Sequence, residues 1–329
     1  MNFVMRAFLF LFALLLTSVG VSAQGDSPGT LVGLLEAGDF RALTVTDDGE
    51  YLLVTDAATS QIRIYALNNL AEPPLIASVA VDGVPTGIAA GRGFVLVATR
   101  SSASPSTIEV LAPARYASDS PFAAGSNYVD LPFETDSLIV SAERNYAAAL
   151  GQDRFALLRL RSAGDIDART FNRSISAAAI ASGTLFYAEG SILHAARLNG
   201  TSIAADSGTL DAGGAVTGVA ISSDGSVGAL ARSDGEIRFF DPNDLDLLGS
   251  TSSGVRPVII QFGAAEGRLR LLVAGQGENR LRVIDAEQPD APRSLDADLR
   301  LDGSIVGLTT FPDHVVATDG STIGIFALP

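Results

Sequence analysis

Seven times along the chain a tight polar turn runs into a short strand of alternating apolar and polar residues. The sharpest copy is "SDGEIRFFD", Ser233 to Asp241. Looser copies are "DAATSQIRIYAL" (56–67), "SASPSTIEVLAP" (102–113), "GQDRFALLRLR" (151–161), "EGSILHAARL" (189–198), "GQGENRLRVIDA" (275–286) and "DGSTIGIFAL" (319–328). An apolar stretch precedes each one, such as "YLLVTDA" (51–57) or "RLLVAGQ" (270–276). A further strand precedes that, as in "ALTVT" or "GVAISS", and a looser fourth segment closes the unit, as in "LIASVAVDG" (75–83). Counted from the first strand, the units begin near 41, 85, 135, 175, 215, 256 and 304. Such a unit cannot bury its apolar faces alone, so neighbouring copies must stack.

Four short strands at a period of 40–50 residues predict the blades of a β-propeller. No stretch of helical apolar spacing competes after residue 23. The expected fold is therefore all-β, a single seven-bladed β-propeller over residues 30–329. The two ends define the closure. The last unit stops after its third strand, and an orphan strand, "TLVGLLEAG" (30–38), stands before the first unit. Pairing that orphan onto the last unit as its outermost strand completes the seventh blade and leaves no open seam. A column of small residues on the innermost strands fits seven strands converging on an axis: Ala42, Gly87, Ser137, Ala177, Gly218 and Gly307, with Val258 as the exception.

The chain opens with one Arg, an apolar run from Ala7 to Leu16, and small residues ending at Val21-Ser22-Ala23. This is the pattern of an export signal at 1–23, cleaved after Ala23, and residues 24–29 read as a flexible linker. The apolar run is short for a membrane span, and no later segment suits one. The expected location is exported, periplasmic or extracellular. There is no Cys, so no disulfide supports the fold. All 22 basic residues are Arg, the formal net charge is −15, and loss of the signal with its one Arg and no acid leaves −16. Such a surface repels phosphate backbones, and nucleic acid is excluded as an expected partner.

Blade five, "VTGVAISSDGSVGALARSDGEIRFFDPNDLDLLG" (216–249), resembles a WD40 repeat, with "DGEIRFFD" at the family's Asp-Gly-x-Ile-x-x-Trp-Asp. Blade six is similar to the bacterial YVTN (YncE-type) propellers through "RLLVAGQGENRLRVID". The chain has no Trp and no Gly-His pair before a first strand, so the WD40 hydrogen-bonded network of His, Ser, Trp and Asp is absent. The resemblance implies the fold; it does not carry a function across.

Elimination narrows the chemistry. Without Cys and Lys there is no thiolate nucleophile, Schiff base, Ser-Lys dyad or P-loop. Residues 25–29, "GDSPG", match a nucleophile elbow around Ser27 but precede no helix, and read as linker. His194 shares a strand face with Ile192, Ala196 and Leu198, and reads as packed or hydrogen-bonded within the fold. His314 reads as a turn-edge residue, and the two His on separate blades make no zinc site. The acidic turns Asp47–Glu50 and Asp241–Asp246 lack EF-hand spacing, and are expected to bond their own backbone. No cofactor or metal is expected.

Propellers commonly bind where loops enter the innermost strands. Those entries carry Arg41, Thr86, Asp136, Arg173 and Arg256. These Arg could hold an anion or a carboxylate-bearing partner, or each could pair with a neighbouring blade's acid. Two longer connections, 112–128 and 285–299, fall on the opposite face. The leading expectation is a non-catalytic scaffold that binds another protein or a small anionic ligand. The alternative is a lactonase or esterase-type hydrolase built on Asp136 and Arg at the channel mouth.

Overall fold

The computed structural model describes residues 29–36, 38–91, 93–113, 120–141, 145–161 and 165–329. The signal, Ser27 and most of the expected linker lie outside them. Within the described residues the strands form seven four-stranded antiparallel sheets. Their innermost strands are Phe40–Val45, Val84–Gly91, Ser137–Val140, Ala177–Ala181, Val216–Ile221, Pro257–Ala265 and Gly307–Phe311. Each touches the innermost strand of the blade before and after it, and the last touches the first, so the ring is closed.

Closure occurs as the chain ends foretold. The strand Leu31–Glu36 pairs antiparallel with Thr322–Ala327, with Leu35 opposite Ile323 and Glu36 opposite Thr322. It becomes the fourth strand of blade seven, outside His314–Thr318 and Gly307–Phe311. Gly29 already belongs to the frame, because its N–H donates to Ala327 O at 2.9 Å.

There is no single central core. The buried apolar residues fall into seven wedges, one between each pair of adjacent blades. The period-2 geometry of a strand explains this, since successive side chains face opposite neighbours. In Phe94–Arg100, Val95 and Val97 enter the wedge toward blade one, while Leu96 and Ala98 enter the wedge toward blade three. A strand buried on both faces must be apolar at every position, which is why the second strands read as continuous runs.

The outer rim is locked by close approaches. Gly33, in the fourth strand of blade seven, faces the carbonyl of Leu70 from blade one; a Cβ there would lie 1.9 Å from that oxygen. Gly249, in the fourth strand of blade five, meets Pro289 O of blade six in the same way, at 2.3 Å. In both places the connection between the third and fourth strands of one blade leans on the fourth strand of the blade before it. Only glycine admits this contact unshifted. Both long connections are shorter than expected. In blade two the third strand runs to Pro113 and the fourth begins at Phe122; in blade six the gap lies between Asp285 and Arg293. Strand pairing absorbs the remainder.

Candidate functional site

At the start of every innermost strand two residues oppose one on the second strand. Four blades show the register shift directly: at Arg41-Ala42, Thr86-Gly87, Thr217-Gly218 and Val258-Ile259. In the other three the strand begins at the second residue of the pair. The residue before it donates its N–H to the shared carbonyl: Asp136 to Leu150 at 2.7 Å, Ser176 to Ala188 at 3.0 Å and Val306 to Thr318 at 2.8 Å. This is a β-bulge repeated seven times, and a bulge re-aims the extra side chain. The seven extra residues, Arg41, Thr86, Asp136, Ser176, Thr217, Val258 and Val306, are exposed or half-buried and belong to none of the wedges. They form the rim of the channel mouth.

Of the residues expected at the mouth, Arg41, Thr86 and Asp136 occupy rim positions. Arg173 and Arg256 lie on the entry segments, ahead of Ser176 and Val258. The small-residue column is also corrected. Val258 is the extra residue of its pair, and Ile259 holds the seventh place, opposite Ala274. Sequence reading missed Ser176, Thr217 and Val306 as rim positions, because an inserted residue leaves the strand pattern on either side intact. The available clue was a polar or β-branched residue immediately before a small one, as in Thr86-Gly87, Ser176-Ala177 and Thr217-Gly218. In those three blades the hydroxyl donates to the shared second-strand carbonyl, at 3.3–3.4 Å.

The charged groups differ in how they are held. Arg41 makes a two-pronged pair with Asp39, at 2.7 and 2.9 Å, and this bond holds the Asp39 carboxyl below its usual range. Arg173 pairs with Glu189 at 3.1 Å. Both acids come from the same blade as the Arg, not from a neighbour. Arg256 has no acid within ion-pair distance among the described residues, and it is exposed. Asp136 lines an open cleft of about 490 Å³ with Phe133, Glu134, Gln152, Asp153 and Arg154.

Blade four carries a second constellation, behind the rim. Arg173 donates to the Tyr187 hydroxyl, which in turn donates to Asp206 at 3.0 Å. His194 lies 2.9 Å from Asp206 through Nδ1, stacks on the Tyr187 ring at 4.8 Å, and approaches Glu189 at 3.6 Å. Tyr187 is fully buried; burial first, and then its bond to Asp206, push the phenol up to about 12. A phenol that stays protonated at physiological pH relays hydrogen bonds and supplies no base. His194 faces blade three, with Ala196 in that wedge and Leu198 packed against it. His314 donates from Nδ1 to Pro312 O at 2.9 Å and stacks on Phe311.

The acidic turns bond to themselves. Asp241 accepts from the Asn243 amide at 2.8 Å, and Asp48 accepts from the Glu50 N–H at 3.0 Å. Among the described residues no three His, Asp or Glu converge as a metal cage.

No family model matches the chain, and no curated protein matches it. Among solved structures it is similar to the β-propeller domain of Cps50 (Swd1) from Myceliophteria thermophila, with a TM-score of 0.69 over 92% of this chain and 100% of that one. The two are 13% identical, so what they share is the fold. The rim is thus mounted on a seven-bladed β-propeller.

Proposed function

We propose that the chain is an exported, non-catalytic β-propeller that binds a protein partner across the face where its innermost strands begin. One observation carries the reading. Seven bulge residues, five exposed and two half-buried, stand around the mouth outside every packing wedge, on a frame that does not have to be ordered on binding. The rim is chemically divided. Five neighbouring positions are polar or charged, from Arg41 round to Thr217, and Val258 and Val306 close it with apolar surface that is 43% and 49% exposed. Such a mixed contact suits a protein partner. A small anionic ligand is the narrower version, with Arg256 as its counter-charge. The likeness of blade six to YVTN-type propellers and the signal-like start at 1–23 support an exported protein.

The second reading, a hydrolase, rests on Asp136 beside Arg154 and Gln152 in the cleft of blade three. One set of measurements separates the two. A photo-crosslinking residue is placed at Thr217 or Val306, and a control at Asp224 in a turn on the opposite face. Adducts in envelope extract from the rim positions alone are expected. Adducts from Asp224 alone, or ester or lactone turnover abolished by Asp136→Ala, defeat the scaffold. Mass spectrometry of the exported chain tests the start, with loss of residues 1–23 expected.

A further inference from the structure

The third strand of each blade has one position, the residue opposite the middle of the second strand, that is polar in five blades. It is Arg63 in blade one, Glu109 in two, His194 in four, Arg238 in five and Arg282 in six. Four of them are satisfied by groups close by. Arg63 pairs with Asp56. Glu109 accepts from the Thr99 hydroxyl at 3.1 Å and the Asp82 N–H at 3.0 Å. His194 meets Asp206, and Arg238 meets Glu236 at 3.1 Å.

Arg282 alone has no partner among the described residues, and its Nε–H is buried without an acceptor. The reason lies in its neighbours. The place held by Asp56 in blade one is Gly275 in blade six, where a Cβ would meet Val255 at 2.8 Å and Glu278 at 2.9 Å. The place held by Glu236 in blade five is Arg280, two residues before Arg282 and so on the same strand face. Arg280 is engaged by Ala297 O at 2.7 Å and by Asp296 at 3.0 Å. The face belongs to the seam with blade five: Val273, opposite Arg282, and Ile284, two residues on, both lie in that wedge. Arg280 is shared with two carboxylates, Asp296 at 3.0 Å and Asp298 at 4.0 Å, whereas Arg282 faces none within ion-pair distance among the described residues. Residues 256–300 carry seven Arg against seven acids, in a chain of net −15.

We propose that the seam between blades five and six binds a small free oxyanion of the phosphate class on Arg282, with Arg280 beside it. A planar guanidinium meets such an anion through Nε and Nη together, which supplies the acceptor that the protein withholds. The site lies on the third strand of its blade, two strands outward from the rim, and does not depend on the scaffold reading.

The test uses the purified full-length chain and inorganic phosphate, with sodium chloride at matched ionic strength as reference. Expected are saturable binding of one phosphate per chain by calorimetry and a rise in Tm of about 2 °C or more over chloride, as mass action requires. Arg282→Gln removes both. Arg280→Glu rebuilds the Glu-x-Arg pairing of blade five and makes Tm indifferent to phosphate. Absence of saturable phosphate binding by the unaltered chain overturns the proposal, and so does an undiminished phosphate response in Arg282→Gln. If Arg282→Gln does not fold, the isotherm of the unaltered chain and Arg280→Glu decide.

Discussion

Blade five and blade seven are the same object assembled in two ways. Blade five takes its four strands from one continuous stretch, Val216–Ile221, Gly228–Arg232, Glu236–Phe240 and Leu247–Ser252. Blade seven takes three strands from the end of the chain and its fourth from Leu31–Glu36. The wedges on either side of blade seven are as fully buried as those around blade five: Val315, Val316 and Ala317 match Ala229, Leu230 and Ala231, all at 0% exposure. Strand pairing and side-chain interlock therefore define a blade, and chain continuity does not. What blade seven lacks is a covalent tie along its outer edge.

The largest break in this comparison is to start the chain after Glu36. That removes the fourth strand and uncovers Thr322–Ala327 as an open edge. It also strips Leu35 from the wedge between blades seven and one. The expected loss is about 5 kcal/mol or more, comparable to the whole stability of many domains. Thermal melting should lose its single sharp transition, and size-exclusion chromatography should show association through the bare edge. A shortened chain that melts like the original would mean that the ring is sealed elsewhere.

Next come the matched aromatics of the third strands. Phe240 is fully buried between blades four and five, and Phe326 is 1% exposed between six and seven. Truncation of either to Ala should cost about 3–5 kcal/mol in denaturant unfolding. Phe326→Ala is expected to be the more damaging, because Phe326 also pairs with Leu31 of the untied strand. Equal losses would show that the non-covalent edge adds no local weakness.

The smallest effect concerns the turn acids. Asp319, in blade seven, sits against burial that favours its neutral form. It is nonetheless drawn down to about 2, because the N–H groups of Thr322, Ser321 and Gly303 all donate to it. A carboxyl depressed in the folded state stabilises above its unfolded value, near 3.9, and loses that contribution as pH falls towards 2. Asp319→Asn should remove about 1–2 kcal/mol at neutral pH and flatten acid unfolding between pH 4 and 2. Asp234, its counterpart in blade five, is lowered chiefly by the Glu236 N–H and is exposed beside Arg232. Asp234→Asn should alter the acid limb of the stability curve less than Asp319→Asn does, because the exposed pair is screened by solvent. An acid limb unaltered by Asp319→Asn would disprove the special hold of that turn.

Much of the frame could be read from residues alone. The period gave the blade count, the truncated last unit and the orphan at 30–38 gave the closure, and the apolar runs located the second strands. The site was less legible for three physical reasons. A bulge adds a residue without disturbing the alternation on either side, so Ser176, Thr217 and Val306 left only a faint trace and Val258 was placed in the wrong column. Ion pairs depend on strand register, which the sequence does not state. Arg41 and Arg173 found acids in their own blades through Asp39 and Glu189, where a neighbouring blade was equally open to them. The network around Tyr187 needs Asp206 to arrive opposite Ala196 through irregular pairing of the third and fourth strands. The rim glycines, Gly33 and Gly249, lie in weakly apolar strands that give no hint of the carbonyl pressed against each one.

The sevenfold bulge has an evolutionary corollary. Each blade offers one position whose side chain can be exchanged without replacing a wedge residue, since it is a member of neither flanking wedge. Under the proposed scaffold role, a lineage could rewrite its recognition one letter at a time, in a seven-letter word written around the mouth, while the architecture beneath goes on accepting unrelated spellings.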